Sequence, residues 1–362
     1  MTSRGQARPT LRDVALKAGV SVSTASLVFS GKGPVAEATA LRVRAAAGEL
    51  GFAGPNPLAS SLRQGRAGAI GVLVDGRLQM AFRDPFAIAV LDGLAEELES
   101  VPTGMLLLGQ PSASPESTVP RLAGLALDAV VFLLCGPGEH PAVAHLEARG
   151  IPMFSTGVPD DRRITQVRID ERAAAAEISR HVRALGHRRV ATVAMPMLPT
   201  SSAGPVSAAE MTSGDARVPS TGRLLGFRDV FPRGRALQTE DGSAVEGGIV
   251  AGRELLAGRP EERPTAIVAQ SDVIAAGVVI AAEELGLRVP DDLSVTGFDG
   301  VDLPWLPHRL TTMDQRGRDK GRLLGTLVRR TLAGERPRSV TQPVTLREGT
   351  TTAPPPPAAP AA

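Results

Sequence analysis

From residue 68 onward the chain alternates short, unbroken apolar runs with longer stretches of helical periodicity, and this alternation restricts the fold more than any other feature. The runs are "AIGVLV" (69–74), "GMLLLG" (104–109), "AVVFLL" (129–134), "PMFST" (152–156), "RVATVA" (189–194), "AIVAQ" (266–270) and "LSVTGF" (293–298). Helical stretches alternate with them at about 86–100, 141–149, 171–185, 223–231, 245–257, 272–285 and 314–333. A strand that is apolar on both faces must be covered on both, as in a parallel sheet wrapped by helices. The units are too numerous for one compact sheet. The expected class is therefore α/β, with two doubly wound parallel-sheet sub-domains over 68–350 and a cleft between them. The Ser-, Gly-, Pro- and Ala-rich segment 197–222 reads as a mobile surface loop, and "TTAPPPPAAPAA" (351–362) as a disordered Pro/Ala tail.

The first 55 residues have a different texture. Thr10 and Asp13 stand at capping-box spacing, and "LRDVALKAG" places Leu11, Val14, Ala15 and Ala18 on one face before Gly19 ends the helix. Ser21 can cap a second helix after a turn of about three residues, which is helix-turn-helix spacing. A third helix is expected over roughly 35–50. The stretch "SVSTASLVFSGKGPVA" (21–36) also admits a strand and a G-x-G-x-x-A dinucleotide turn. That reading fails because Pro34 removes a backbone donor, no sheet-forming unit precedes it, and only Glu49 loosely supplies the distant acid. As a helix, the segment turns Val22, Ser23, Ser26 and Leu27 outward, with Thr24, Ala25, Val28 and Phe29 nearer the inside. Small side chains let such a helix enter the major groove, where hydroxyls meet phosphates or base edges.

Charge points the same way. Residues 1–66 carry nine basic and three acidic side chains, whereas the whole chain nets only +2, so a basic head sits on an acidic body. The lone Cys135 excludes an internal disulfide, the N-terminus lacks a secretory apolar core, and no apolar run reaches about 18 residues; a cytoplasmic protein is expected. His140, His145, His181, His187 and His308 show no metal spacing, and no G-x-S-x-G, P-loop or Cys–His arrangement stands out. No catalytic residue, metal or cofactor is expected.

"TLRDVALKAGVSVSTASLVFSGKGPVAEATALRVRAAAGELGF" followed by "NPLASSLRQGRAGAIGVLV" resembles the head of the lactose-repressor (LacI/GalR) family of bacterial transcription regulators. The resemblance continues through "DPFAIAVLDGLAEEL", "VRIDERAAAAEISRHVRALGHRRVATVA", "PTAIVAQSDVIAAGVVIAAEELGLRVPDDLSVTGFDG" and "HRLTTMDQRGRDKGRLLGTLV", and covers about residues 9–350. It implies a helix-turn-helix head (1–55), a hinge helix and linker (56–67) and a periplasmic-binding-protein-like body (68–350). It further implies a homodimeric repressor on near-palindromic operator DNA, controlled by a small effector, a sugar or related polyol, held between the lobes.

By the same resemblance, Thr10, Ser21, Val22, Ser23, Thr24 and Ser26 match DNA-contacting positions. Leu27 stands where an arginine usually reads guanine, so a different base, with a thymine methyl contact, is expected there. Ala36 stands where the third helix usually has a serine cap. In the hinge, Asn56, Ala59 and Leu62 fall on DNA-contacting positions, with Leu62 as the side chain that wedges into the central base step. Asp170, Arg223 and Asp299 match the polar effector contacts, and Phe86 and Ser271–Asp272 the walls. Two departures bear on the effector: Gly300 replaces an acid that usually follows Asp299, and the chain has no tyrosine and one tryptophan, Trp305, to stack on a sugar ring. A solute-binding protein with this body would carry a leader and no basic head. An enzyme acting on a sugar or nucleotide would carry a nucleophile or acid–base pair in the cleft.

Overall fold

Thr10 opens the first helix as its spacing predicts: the Asp13 amide donates to Thr10 Oγ1 at 3.4 Å, and the Thr10 amide donates to Asp13 Oδ2 at 2.8 Å. The structure, a computed structural model, describes residues 9–31, 33–54, 66–76, 78–110, 114–133, 139–198, 200–240 and 242–357. The chain divides into two units, Met1–Gly68 and Ala69–Ala362. In the first, α1 (Leu11–Ala18), α2 (Val22–Ser30) and α3 (Glu37–Leu50) pack around Val14, Ala15, Ala25, Val43, Ala46 and Ala47. Gly19 closes α1 at φ 63°, a left-handed cap that glycine adopts without Cβ strain. Ala36 leaves α3 without a side-chain cap. The hinge positions Asn56, Ala59 and Leu62 lie outside the described residues.

The second unit holds two sheets. The first runs β12-β5-β4-β3-β1-β2, from β1 (Ala69–Asp75), β2 (Gly104–Gln110), β3 (Ala129–Leu133), β4 (Met153–Ser155), β5 (Ile164–Arg168) and β12 (Val340–Thr341). The second runs β13-β11-β10-β9-β6-β8-β7, from β6 (Val190–Ala194), β7 (Gly204–Pro205), β8 (Arg235–Gln238), β9 (Ala266–Ala269), β10 (Ser294–Asp299), β11 (Thr311–Asp314) and β13 (Thr345–Arg347). All pairings are parallel except those of β7 and β13, which are antiparallel. The helices are α4 (Leu78–Ala81), α5 (Pro85–Leu98), α6 (Thr118–Ala123), α7 (Pro141–Ala148), α8 (Glu171–Ala184), α9 (Ala208–Ser213), α10 (Pro219–Val230), α11 (Val245–Leu256), α12 (Asp272–Glu284) and α13 (Gly317–Leu332). Helix pairs α5–α13, α8–α10 and α11–α12 approach so closely that glycine is required at the crossings. A β-carbon on Gly321 would meet the Val90 carbonyl, on Gly226 that of Arg172, and on Gly277 that of Val245.

The chain passes between the sheets three times, at 168–171, 314–317 and 341–345. Gln342 ties these crossings together. Its amide donates to the Arg168 carbonyl at 2.8 Å, and its buried side chain donates to the Gln315 carbonyl at 2.9 Å.

Two expectations are corrected here. Segment 197–222 is not an unstructured loop. It supplies β7, which pairs with β8, then α9, and the first turn of α10, which begins at Pro219 rather than near 223. Glu210 organises it by accepting from the Ser207 amide at 2.8 Å, from Ser201 Oγ and from Gln238 Nε2, bonds that hold its carboxyl down at about 2. The tail is also anchored at its start. Thr351 is buried, its carbonyl accepts from the Val295 amide at 2.8 Å, and the Ala353 carbonyl accepts from Ser294 Oγ at 3.0 Å. Composition missed both because backbone and side-chain polar pairing fastens these segments, helped in 197–222 by Met197, Val206 and Met211 packing on the core.

Candidate DNA-contacting surface and inter-lobe site

On the head, Ser21 caps α2 by accepting from the Thr24 amide at 3.1 Å. Its hydroxyl also lies 2.8 Å from both Ser23 Oγ and Thr24 Oγ1, so three hydroxyls cluster where the free N–H groups of α2 emerge. That is a ready setting for phosphate. Val22, Ser23 and Leu27 are exposed as predicted, whereas Ser26 and Thr24 are half-buried and Ala25 is fully inside. Thr10 is exposed and its hydroxyl is engaged with Asp13 at 2.7 Å.

In the body, four of the five sequence-predicted effector positions come together at the junction of the lobes. Arg223, on α10, is 6% exposed; its Nε donates to Glu171 Oε2 at 2.7 Å and its Nη1 donates to the Gln270 carbonyl. The guanidinium lies 3.7 Å from Asp299 Oδ1 and 3.7 Å above the Phe298 ring. Asp299 ends β10 with φ 120°, backbone that an L residue rarely adopts, so its neighbours hold it in a strained conformation. Gln315 bridges the lobes: its Nε2 donates to Asp299 Oδ1 at 2.7 Å, and its Oε1 accepts from Lys320 Nζ, on α13, at 3.0 Å. The Lys320 ammonium sits 5.6 Å from the Phe86 ring. Asp272, in the first turn of α12, is fully buried and accepts from the Val301 amide at 2.8 Å.

Asp170 does not join this group. It is exposed and caps α8, accepting from the Ala173 amide at 2.9 Å, while its neighbour Glu171 turns inward to Arg223. Sequence reasoning also missed Asp84, Gln315 and Lys320. Asp84 caps α5 through the Phe86 amide at 2.9 Å, and its carboxyl feels Arg223. Trp305 is 54% exposed.

Burial dominates the electrostatics. It pushes Asp299 well above the usual carboxylate range; Arg223 opposes this, while Asp272 and Asp84 reinforce it. Burial likewise raises Asp84, and raises Asp272 to about 7, and it pulls the Lys320 ammonium down to about 8. Between about pH 4 and 7 the folded state holds on Asp272 a proton that the unfolded chain has released, so this contribution to stability falls as pH rises. From about pH 8 to 10.5 the unfolded chain holds the Lys320 proton that the folded state has lost, so stability recovers. Urea midpoints measured from pH 4 to 10 will therefore carry a shallow dip at pH 7–8, and Asp272→Asn will flatten its acid limb. An unchanged acid limb in that variant would clear Asp272 of the effect.

The three-helix head thus clusters small hydroxylated side chains at the start of α2, and the body closes charged groups between two lobes. Residues 10–56 match the model for bacterial regulatory proteins of the lacI family, and residues 179–352 match a periplasmic binding protein-like domain. A Streptomyces limosus HTH-type transcriptional regulator is 33% identical over 85% of this chain and 83% of its own length. The HTH-type transcriptional repressor CytR of Escherichia coli is 28% identical over 86% of each chain. The structure of the transcriptional regulator CelR in complex with cellobiose superposes with a TM-score of 0.64 at 26% identity, covering 95% of this chain and all of that one. Head and body together define a DNA-binding transcriptional regulator. The chain belongs to the LacI family, whose relatives here are named as regulators and not as enzymes. Among the described residues no helix is long and apolar enough to cross a membrane.

Proposed function

We propose that the protein is a cytoplasmic, homodimeric repressor that binds near-palindromic operator DNA and is controlled by a sugar or related polyol bound at the lobe junction. The observation that carries the effector reading is the set of buried Arg223, Asp299 and Asp272 with half-buried Glu171 between the lobes. Carboxylates accept from vicinal hydroxyls and a planar guanidinium donates to ring or hydroxyl oxygens, which suits a neutral polyhydroxylated ligand. One turn before Arg223, the buried Ser220 hydroxyl has no partner of its own, a free donor and acceptor beside the same carbonyl network. The complex of CelR with cellobiose and the name of CytR support the sugar and repressor parts respectively.

Effector binding would act through the three crossings that Gln342 and Gln315 join, shifting the relative populations of two lobe arrangements. Operator affinity then changes by a coupling free energy of about 1–3 kcal/mol. The test is selection of bound sequences from fragmented genomic DNA, followed by titration of neutral sugars against the selected duplex. A near-palindromic motif released by one sugar class is the expected result. Specific binding that no neutral sugar or polyol alters would remove the effector reading and leave the DNA reading standing.

A further inference from the structure

The outward surface of α2 is unusual for a helix that meets DNA because none of its nine residues, "VSTASLVFS", is charged and none is an amide. Its most exposed large side chains are Val22, 47% exposed, and Leu27, 37% exposed. At 100° per residue they stand at the two edges of the outer arc, about 140° apart, with Ser23, Ser26 and Ser30 between them. Leu27 is also braced. A β-carbon at Gly33 would lie 3.1 Å from a Leu27 δ-carbon, so the glycine turn after α2 packs directly under the leucine. The hydroxyls of Ser21, Ser23 and Thr24 are already clustered at the N-terminus of the helix, where they suit a phosphate rather than a base.

Bidentate base recognition in the major groove takes donors to guanine or amides to adenine, and further contacts come from acids to cytosine, single hydroxyl bonds to several bases, or apolar contact with the C5-methyl of thymine. Helix α2 has no basic, acidic or amide side chain, and its serines add only single hydrogen bonds that select weakly between bases. We propose that it reads its half-site through pyrimidine methyl groups, with Leu27 as the principal contact and Val22 as the second. The inference rests on α2 being the helix that enters the groove. It makes two distinctions that hydrogen-bond reading does not: thymine from uracil, and 5-methylcytosine from cytosine.

The experiment uses the full chain. Duplexes enriched from a random pool are resynthesised with each thymine replaced singly by deoxyuridine. One or two positions per half-site are expected to lose about fourfold in affinity, the worth of one buried methyl, and the other positions to stay flat. At the position facing Leu27 the penalty should vanish in Leu27→Ala, and Leu27→Arg should shift the selected base there toward guanine. An enriched motif with a flat uracil scan would overturn methyl reading while leaving operator binding intact. So would a penalty that persists unchanged in both Leu27→Ala and Val22→Ala. Failure to enrich any motif would overturn both.

Discussion

Replacing Arg223 by alanine is expected to abolish the effector response and to cost the body on the order of 3–5 kcal/mol, the range for breaking one side of a buried ion pair. The guanidinium is 6% exposed and serves four neighbours: Glu171 at 2.7 Å, Asp299 at 3.7 Å, the Gln270 carbonyl and the face of Phe298. Its removal leaves two carboxylates without a counter-charge in a place where burial already opposes ionisation. Part of the loss should return in the double variant Arg223→Met/Glu171→Gln, which removes the guanidinium together with its nearest carboxylate partner. Urea unfolding at pH 7 measures the first effect, and sugar titration on operator-bound protein the second. A single variant that responds to the sugar as the parent does would take Arg223 out of the effector site.

Leu62→Ala carries the second large effect. A side chain that wedges between base pairs trades a few kcal/mol of unstacking for the contacts a kinked duplex allows, so its loss falls on the specific complex alone. Binding to the selected operator should weaken on the order of tenfold to a hundredfold, while binding to scrambled DNA of equal length changes little. Fluorescence anisotropy with both duplexes reads the difference. Equal weakening on both would mean that Leu62 contributes only general affinity and would remove the wedge.

Most strands visible in the sequence are buried on both faces, and β2, also read there as "GMLLLG", is apolar yet largely exposed. β1, β3, β6, β9 and β10 are predominantly apolar runs, and their limits were read to within one or two residues. β5 ("ITQVR"), β8 ("RALQ") and β11 ("TTMD") escaped because their polar residues are buried for a purpose that periodicity does not express. Thr311 and Thr312 are fully buried, and Gln166 and Gln238 use their amides to hold loops beside the cleft. The site divides in the same way. Phe86, Arg223, Asp272 and Asp299 could be placed by resemblance. Lys320 and Gln315 could not, since their roles come from an approach between lobes that only the folded chain makes. Asp170 and Glu171 show the limit most sharply. Adjacent acids at a helix start point about 100° apart, so one caps outward and the other turns to Arg223.

The triple crossing also sets an order of events during synthesis. Helix α5 buries its Val90 and Leu94 face against α13, and Arg322 of α13 reaches Glu96 across 226 residues of chain. β12 then completes the edge of the same sheet beside β5. The lobe that the ribosome begins first is therefore finished only after nearly all of the other has been made, and closing so long a loop is slow. A nascent chain halted before Gly317 would hold neither lobe whole, so the apolar face of α5 would stay open to solvent and to chaperones until the last eighth of the protein emerged.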